Sequence, residues 1–315
     1  MNRIFCKIWS VERGVVVASE LAKAKGKGKG ARLLQAVILA GAVVSAPALA
    51  GEVCITDEGS GSTATGDQAL ACGSQSEASG AYATAIGVRS VASGDAAAAF
   101  GYRSAATGNN AVALGVLSDA SGSSSSAVGY RSEASGFRST AFGAKSVASG
   151  EYSTAFGFES VASGDATLAL GYWSEATGPN ATALGVLSEA SGTTALAAGY
   201  RSSATGRRAV AIGGKSDASG DYASALGFES TASGANATAL GAYSVASGDD
   251  ATAVGVDALA IAASASAFGV GAVASGLGSL AQGYASESSG VEATATGAFS
   301  VASGVAASAF GAESV

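Results

Sequence analysis

Ser90-Val91-Ala92-Ser93-Gly94-Asp95-Ala96-Ala97-Ala98-Ala99-Phe100-Gly101-Tyr102-Arg103 is one copy of a 14-residue unit that repeats without insertion along most of the chain. The consensus is S-x-A-(S/T)-G-x-x-A-x-A-φ-G-x-x, with φ usually apolar, and eighteen copies fit between Ser62 and Glu313. Two kinds of seven-residue half-unit alternate, each with one glycine. Glycine therefore holds 36 of the 37 positions spaced by seven from Gly59 to Gly311, with one lapse at Ala262. Enzymes and ligand-binding domains build sites from irregular loops, whose lengths vary. A chain that never slips register is a stack of near-identical units, and a coil this short needs neighbours to bury its faces.

A heptad spacing invites a coiled coil, but the residue kept at the heptad position is wrong. Glycine costs about 1 kcal/mol against alanine inside a helix, and a coiled-coil seam needs Leu, Ile or Val there. Collagen needs glycine at every third residue and abundant proline; past residue 50 there is one proline, Pro179. The calcium-binding β-helix repeat Gly-Gly-x-Gly-x-Asp is absent. Strand and turn remain. A-x-A-φ alternates with period two, as a strand does, and glycine supplies a positive φ or a tight turn on either side. Two short strands and two turns per unit predict an all-β, two-layer parallel β-roll over residues 62–315. At the strand spacing of ~4.8 Å, eighteen coils run about 85 Å.

The alanine just before φ is invariant from Ala71 to Ala309, and the position two residues earlier holds only Ala, Ser or Thr (Ala97, Ala111, Ser125, Ser139). These two positions share one strand face, which predicts a thin interior where the layers approach closely. The φ column points the other way: Ile86, Phe100, Leu114, Val128, Phe142, Phe156, Leu170, Leu184. It is apolar in 16 of eighteen copies, the exceptions being Gln282 and Thr296. An exposed apolar stripe that long invites aggregation. Either φ is the interior and alanine faces outward, or another chain covers φ. The second is the expectation, because a 14-residue coil is too small to build a substantial core alone.

The residue pairs after each φ-Gly vary, and they carry a second repetition. They run Tyr102-Arg103, Val116-Leu117, Tyr130-Arg131, Ala144-Lys145, Phe158-Glu159, then Tyr172-Trp173, Val186-Leu187, Tyr200-Arg201, Gly214-Lys215, Phe228-Glu229. A five-coil block, residues 94–163, has been duplicated as 164–233. Tyr102, Arg103, Tyr130, Arg131, Tyr172, Trp173, Tyr200 and Arg201 are candidate surface contacts, since Tyr, Trp and Arg dominate interface energetics. Packing along the coil edge is the alternative.

Residues 1–50 differ in kind. They hold eight of the 17 basic residues and only Glu12 and Glu20 as acids, followed by an apolar run from Leu33 to Leu49 and small residues before Gly51. This pattern predicts a secretory signal peptide cut between Ala50 and Gly51; Gln35, Gly41, Ser45 and Pro47 interrupt the run, which falls short of a membrane span. Residues 51–61 are expected to form an N-terminal cap. Beyond residue 50 the net charge is −13, which disfavours nucleic acid. Cys54 and Cys72, eighteen residues apart in an exported chain, are candidates for a disulfide clamping the first coil; the alternative is two independent residues.

The start Met1-Asn2-Arg3-Ile4-Phe5-Cys6-Lys7-Ile8-Trp9-Ser10, with Ser19-Glu20-Leu21-Ala22-Lys23, resembles the extended signal peptide of type V secretion proteins. Asn110-Ala111-Val112-Ala113-Leu114-Gly115-Val116-Leu117-Ser118, echoed at 180–188 and 236–244, resembles the head repeat of trimeric autotransporter adhesins. That resemblance covers residues 62–313. It implies a left-handed β-roll, three chains about one axis, exposure on a bacterial surface, and host partners such as collagen, fibronectin or laminin. Family members continue into a neck, a coiled-coil stalk and a membrane-anchoring β-barrel. This sequence reaches Val315 in mid-repeat, so the expectation is a head without stalk or anchor: a fragment, a truncated product, or a partner of something else.

Chemistry is not expected. Histidine is absent, and Met1 is the only methionine, so histidine-based acid–base work, triads and the usual zinc sites are excluded. No catalytic residue, metal, cofactor or small-molecule substrate is assigned. Asp95, Asp165, Asp221 and Asp249 read as solvated turn residues. Asp119 with Glu133, and Glu175 with Glu189, fall in one column on neighbouring coils, where they either chelate a cation or simply repel. The functional expectation is an adhesin head attaching to matrix proteins or to other bacteria through weak contacts multiplied by avidity. The alternatives are a non-adhesive surface fibre or spacer, and a truncated non-functional product. Ice binding fits poorly, because Thr84, Thr140, Thr182, Thr238 and Thr252 form no regular paired columns.

Overall fold

The computed structural model describes the backbone of residues 52–54 and all of residues 61–315. The predicted cleavage point at Ala50 and Gly51 lies outside the described residues, as does the cap apart from the strand Glu52–Cys54 and Gly61. The described chain is a parallel β-solenoid of 14-residue coils. Each coil contributes one three-residue strand, such as Ala98–Phe100, and one two-residue strand, such as Ala105–Ala106. The three-residue strands stack into sheet I, from Glu52–Cys54 to Ser308–Phe310, and the two-residue strands into sheet II, from Thr63–Ala64 to Val301–Ala302.

Pairing never leaves the 14-residue register. In sheet I Ala98, Ala99 and Phe100 lie opposite Val112, Ala113 and Leu114. In sheet II Asp119 and Ala120 lie opposite Glu133 and Ala134. Among the described residues both sheets are open ladders: Thr63–Ala64 pairs only with Glu77–Ala78, and Val301–Ala302 only with Glu287–Ser288. Identical residue types thus sit above one another, and a sequence column is a physical ridge or furrow. The first strand of sheet I places Cys54 in register with Cys72; the Cys54 side chain is outside the described residues.

The turns are laddered as tightly as the strands. Most are closed by a bond from the fourth residue's N–H to the carbonyl of the first, as from Ala97 to Gly94 at 3.2 Å. The third residue of each turn has φ near +55°, for example Arg103 at +54° and Asn110 at +56°. Of the two central residues of each turn only the second has a positive φ, which marks a type II turn, where glycine is usual. Here Arg, Tyr, Leu, Lys and Glu accept the strained conformation instead. Their N–H groups bond to the preceding coil, Arg103 to the Val88 carbonyl at 2.9 Å, so the ladder holds the strain in place.

The two glycine columns differ in backbone conformation. Glycines that follow φ have φ values around +135°, as at Gly101 (+134°), a region that side chains rarely enter. The other column, at Gly94 and its equivalents, has no positive φ. A Cβ on Gly94 would lie 2.0 Å from the carbonyl oxygen of Gly108 in the next coil. A Cβ on Gly101 would likewise lie 2.4 Å from the carbonyl oxygen of Gly115, so close stacking is common to both columns and the positive φ belongs to one.

The interior contains only small side chains. All buried apolar residues are alanine, including Ala92, Ala97 and Ala99 of the quoted coil. The serine that opens the consensus is buried, and its hydroxyl donates to the carbonyl of the glycine three residues earlier, Ser90 to Gly87 at 2.9 Å. This puts alanine inside and φ outside, the arrangement expected from the alternation.

Candidate binding surfaces

With alanine and serine enclosed, each coil presents two sheet faces and two turn edges, and these differ in chemistry. The outward positions of sheet I are the first and third residues of each strand. From Leu70–Cys72 to Ser308–Phe310 none of them is charged. Ile86, Leu114, Phe142, Phe156 and Leu170 are exposed, while Phe100, Val128 and Leu184 are half-buried. Leu114 leaves 48% of its surface open. The stripe is ordered by its own stacking, as where the Phe142 and Phe156 rings lie parallel at 4.7 Å.

The outer face of sheet II mixes apolar residues such as Val91, Val147 and Val161 with charged ones. Its strands begin with acids at Glu77, Asp119, Glu133, Glu175, Glu189, Asp217 and Glu287, and each strand is followed by Ser or Thr except at Ile261. The register brings Asp119 beside Glu133 and Glu175 beside Glu189. Partial burial pushes the Asp119 carboxyl above its ordinary pKa. Among the described residues no three Asp, Glu, Cys or His side chains converge as a metal site would require.

The acids of the Ser/Thr-Gly turn edge are exposed turn residues that also bind backbone of the preceding coil. The Asp95 carboxylate accepts the Ala81 N–H of the preceding coil at 3.1 Å, and Asn109 does the same for Asp95. Asp165, Asp221 and Asp249 repeat the bond to Glu151, Arg207 and Ala235. Each satisfies a turn N–H that the sheet ladder leaves over. The signal was present in the sequence, since fourteen residues separate neighbours in this fold.

The φ-Gly turn edge carries all eight candidate surface contacts. Tyr102, Tyr130, Tyr172, Trp173 and Tyr200 are exposed, as are Arg103, Arg131 and Arg201. The arginines lie over their own turn partners, with guanidinium-to-ring distances of 5.7 Å at Tyr102, 5.4 Å at Tyr130 and 5.8 Å at Tyr200. The structure thus brings the candidates together as local pairs strung along one edge.

Sequence reasoning passed over a second group on this edge. Lys145 bonds to Glu159 at 2.5 Å and lies 5.5 Å from the Phe158 ring centroid. Seventy residues on, Lys215 bonds to Glu229 at 2.6 Å and lies 5.6 Å from Phe228. Hydrogen bonds from Lys145 and then from Trp173 hold the Glu159 pKa below its ordinary value. The Glu229 hydrogen bond raises that of Lys215. Trp173 donates its indole N–H to the second Glu159 oxygen, and its ring packs at 5.0 Å against Tyr172, which in turn stacks on Phe158.

Comparison with known proteins adds two matches. The family model described as the YadA head domain repeat matches eight times, at residues 78–104, 106–132, 134–160, 162–188, 190–216, 218–244, 246–272 and 274–300. Successive matches start two coils apart. The model described as the extended signal peptide of the type V secretion system matches residues 1–49. No curated protein matches the chain.

Proposed function

From the premise that this chain belongs to the YadA head family of trimeric autotransporter adhesins, we propose that it is the head of a bacterial surface adhesin, assembled as a homotrimer through sheet I. The family is one of structural adhesins rather than enzymes, and the extended signal peptide indicates export by type V secretion. The observation that carries the assembly is the charge-free outer face of sheet I, beside a sheet II face that bears seven acids. Burying uncharged side chains carries no ion-desolvation penalty, whereas burying the acids of sheet II would. Once assembled, the φ-Gly turn edge presents its three Tyr–Arg pairs, two and five coils apart, to host matrix proteins such as collagen, fibronectin or laminin, and to neighbouring heads. Localisation is then the cell surface, at the outer membrane.

The test has two arms. Sedimentation of the exported protein is expected to give a trimer, and Phe142→Asp to dissociate it with the strand circular dichroism retained, since an unpaired buried charge costs on the order of 3–5 kcal/mol. Val161→Glu, on sheet II, is expected to leave the trimer intact. A wild-type monomer would refute the assembly. In the second arm, immobilised protein is expected to capture matrix protein, with loss on replacing Tyr130 and Arg131 by alanine.

The duplicated block favours one rival. Five extra coils lengthen the solenoid by roughly 24 Å at the strand spacing, which is what a spacer needs. Absence of both matrix binding and autoaggregation would decide for the spacer.

A further inference from the structure

The duplication supplies an internal control. Its variable turn pairs agree between the two blocks except at Ala144, which becomes Gly214, and at Arg103, which becomes Trp173. The tryptophan donates to the Glu159 carboxylate and closes the row of rings Phe158, Tyr172 and Trp173. Trp173 is held from two sides yet keeps 45% of its surface exposed.

Beside it runs an open groove of about 470 Å³ between this turn edge and sheet II. Lys145, Glu159, Glu175 and Leu187 also line it. Glu159 is already engaged by Lys145 and Trp173. The Glu175 carboxylate has no partner among the described residues, and it lies one coil from the equally exposed Glu189.

We propose that this groove binds a neutral oligosaccharide, with a sugar ring lying on the Trp173 face and its hydroxyls donating to Glu175. A pre-ordered indole offers a large apolar surface at low entropic cost. The same groove holds a free acceptor in Glu175 and a cationic donor in Lys145. Sugar hydroxyls both donate and accept, so they use this mixed set. A cationic peptide side chain would gain only the one charge contact at Glu175, since the Glu159 carboxylate is already taken by Lys145 and Trp173. The equivalent place one block later, beside Lys215 and Glu229, has Tyr243 where Trp173 stands, so one such groove per chain is assigned. In a trimer three copies would act together, and weak single contacts would gain by avidity. The inference deepens the adhesive reading and rests on it for its biological use.

Trp173 is the only tryptophan beyond residue 50, so its fluorescence reports this site alone. The exported protein is titrated with cello-, chito-, manno- and galacto-oligosaccharides, and in parallel with an arginine-rich peptide. A saturable change in emission with at least one oligosaccharide is expected, weakened about tenfold in Glu175→Gln through loss of a charged acceptor. By calorimetry, Trp173→Arg is expected to abolish binding, and it should fold because Arg103 occupies the equivalent position. No saturable response to any oligosaccharide overturns the proposal, as does a response unchanged in Glu175→Gln. Saturation by the peptide alone makes the groove a cation site and equally overturns it. Capture of deglycosylated matrix protein without any oligosaccharide response would remove this site and leave the adhesive reading standing.

Discussion

A methyl group on Gly108 would lie 2.0 Å from the carbonyl oxygen of Gly122, and neither group is a flexible side chain that can turn away. Gly108→Ala is therefore expected to cost at least about 3 kcal/mol in thermal unfolding, as overpacking against backbone. Ala262 is the natural exception in this column. Ala262→Gly relieves crowding worth ~1–3 kcal/mol but adds ~0.4–1 kcal/mol of unfolded-chain entropy. A small rise in melting temperature is expected, and a fall would show that the local backbone has already made room. The hydroxyls inside the solenoid are equally position-specific. Ser153 donates to the Gly150 carbonyl at 2.7 Å, whereas the buried Ser125 hydroxyl, in the same column, has no partner. Ser153→Ala should cost about 1 kcal/mol, and Ser125→Ala should be neutral or stabilising.

At the scale of one turn edge, the residues that touch are fourteen apart, and their coupling is visible to pH. The Glu159 pKa is lowered chiefly by the Lys145 hydrogen bond, with Trp173 second. A depressed carboxyl contributes stability above its unfolded pKa and loses it as pH falls through the folded value. Lys145, Trp173 and the nearby Glu175 are the groups that face it. Trp173 emission should thus stay flat through neutral pH and change only below the ordinary glutamate range. A transition near neutrality would contradict the Glu159 bond. The pair itself is exposed, so the effect belongs to local geometry rather than to global stability. The eight contact candidates were legible from composition and spacing. Their arrangement was less so: the partner of Lys145 is read correctly only once the period is known to be fourteen and not seven.

The whole solenoid should treat seven and fourteen residues very differently. Removing residues 164–233 deletes five complete coils and keeps every column in register. The shortened chain is expected to fold with the same strand circular dichroism and a melting temperature within a few degrees, because each coil contacts only its neighbours. Removing seven residues would align a three-residue strand with a two-residue strand and the positive-φ glycines with glycines that lack a positive φ. Loss of cooperative unfolding is the expected result, read by the same melt. Equal tolerance of both deletions would mean that the half-units are interchangeable, contrary to their separate backbone conformations at Gly101 and Gly94.

The sequence by itself determined the repeat and its parallel stacking, because a strict period in a solenoid converts each sequence position into a spatial column; that alanine and not φ faces inward was decided by the structure. The sequence also placed the aromatic and basic residues on one edge. Tertiary structure alone decided what the two glycine columns are for, since a 2.0 Å approach between coils leaves no trace in composition. It alone showed Asp95 holding the N–H of Ala81 and Trp173 locked to Glu159 beside an unpaired Glu175. Those contacts depend on how far side chains reach across the ~4.8 Å between coils, a distance that residue types indicate but do not direct.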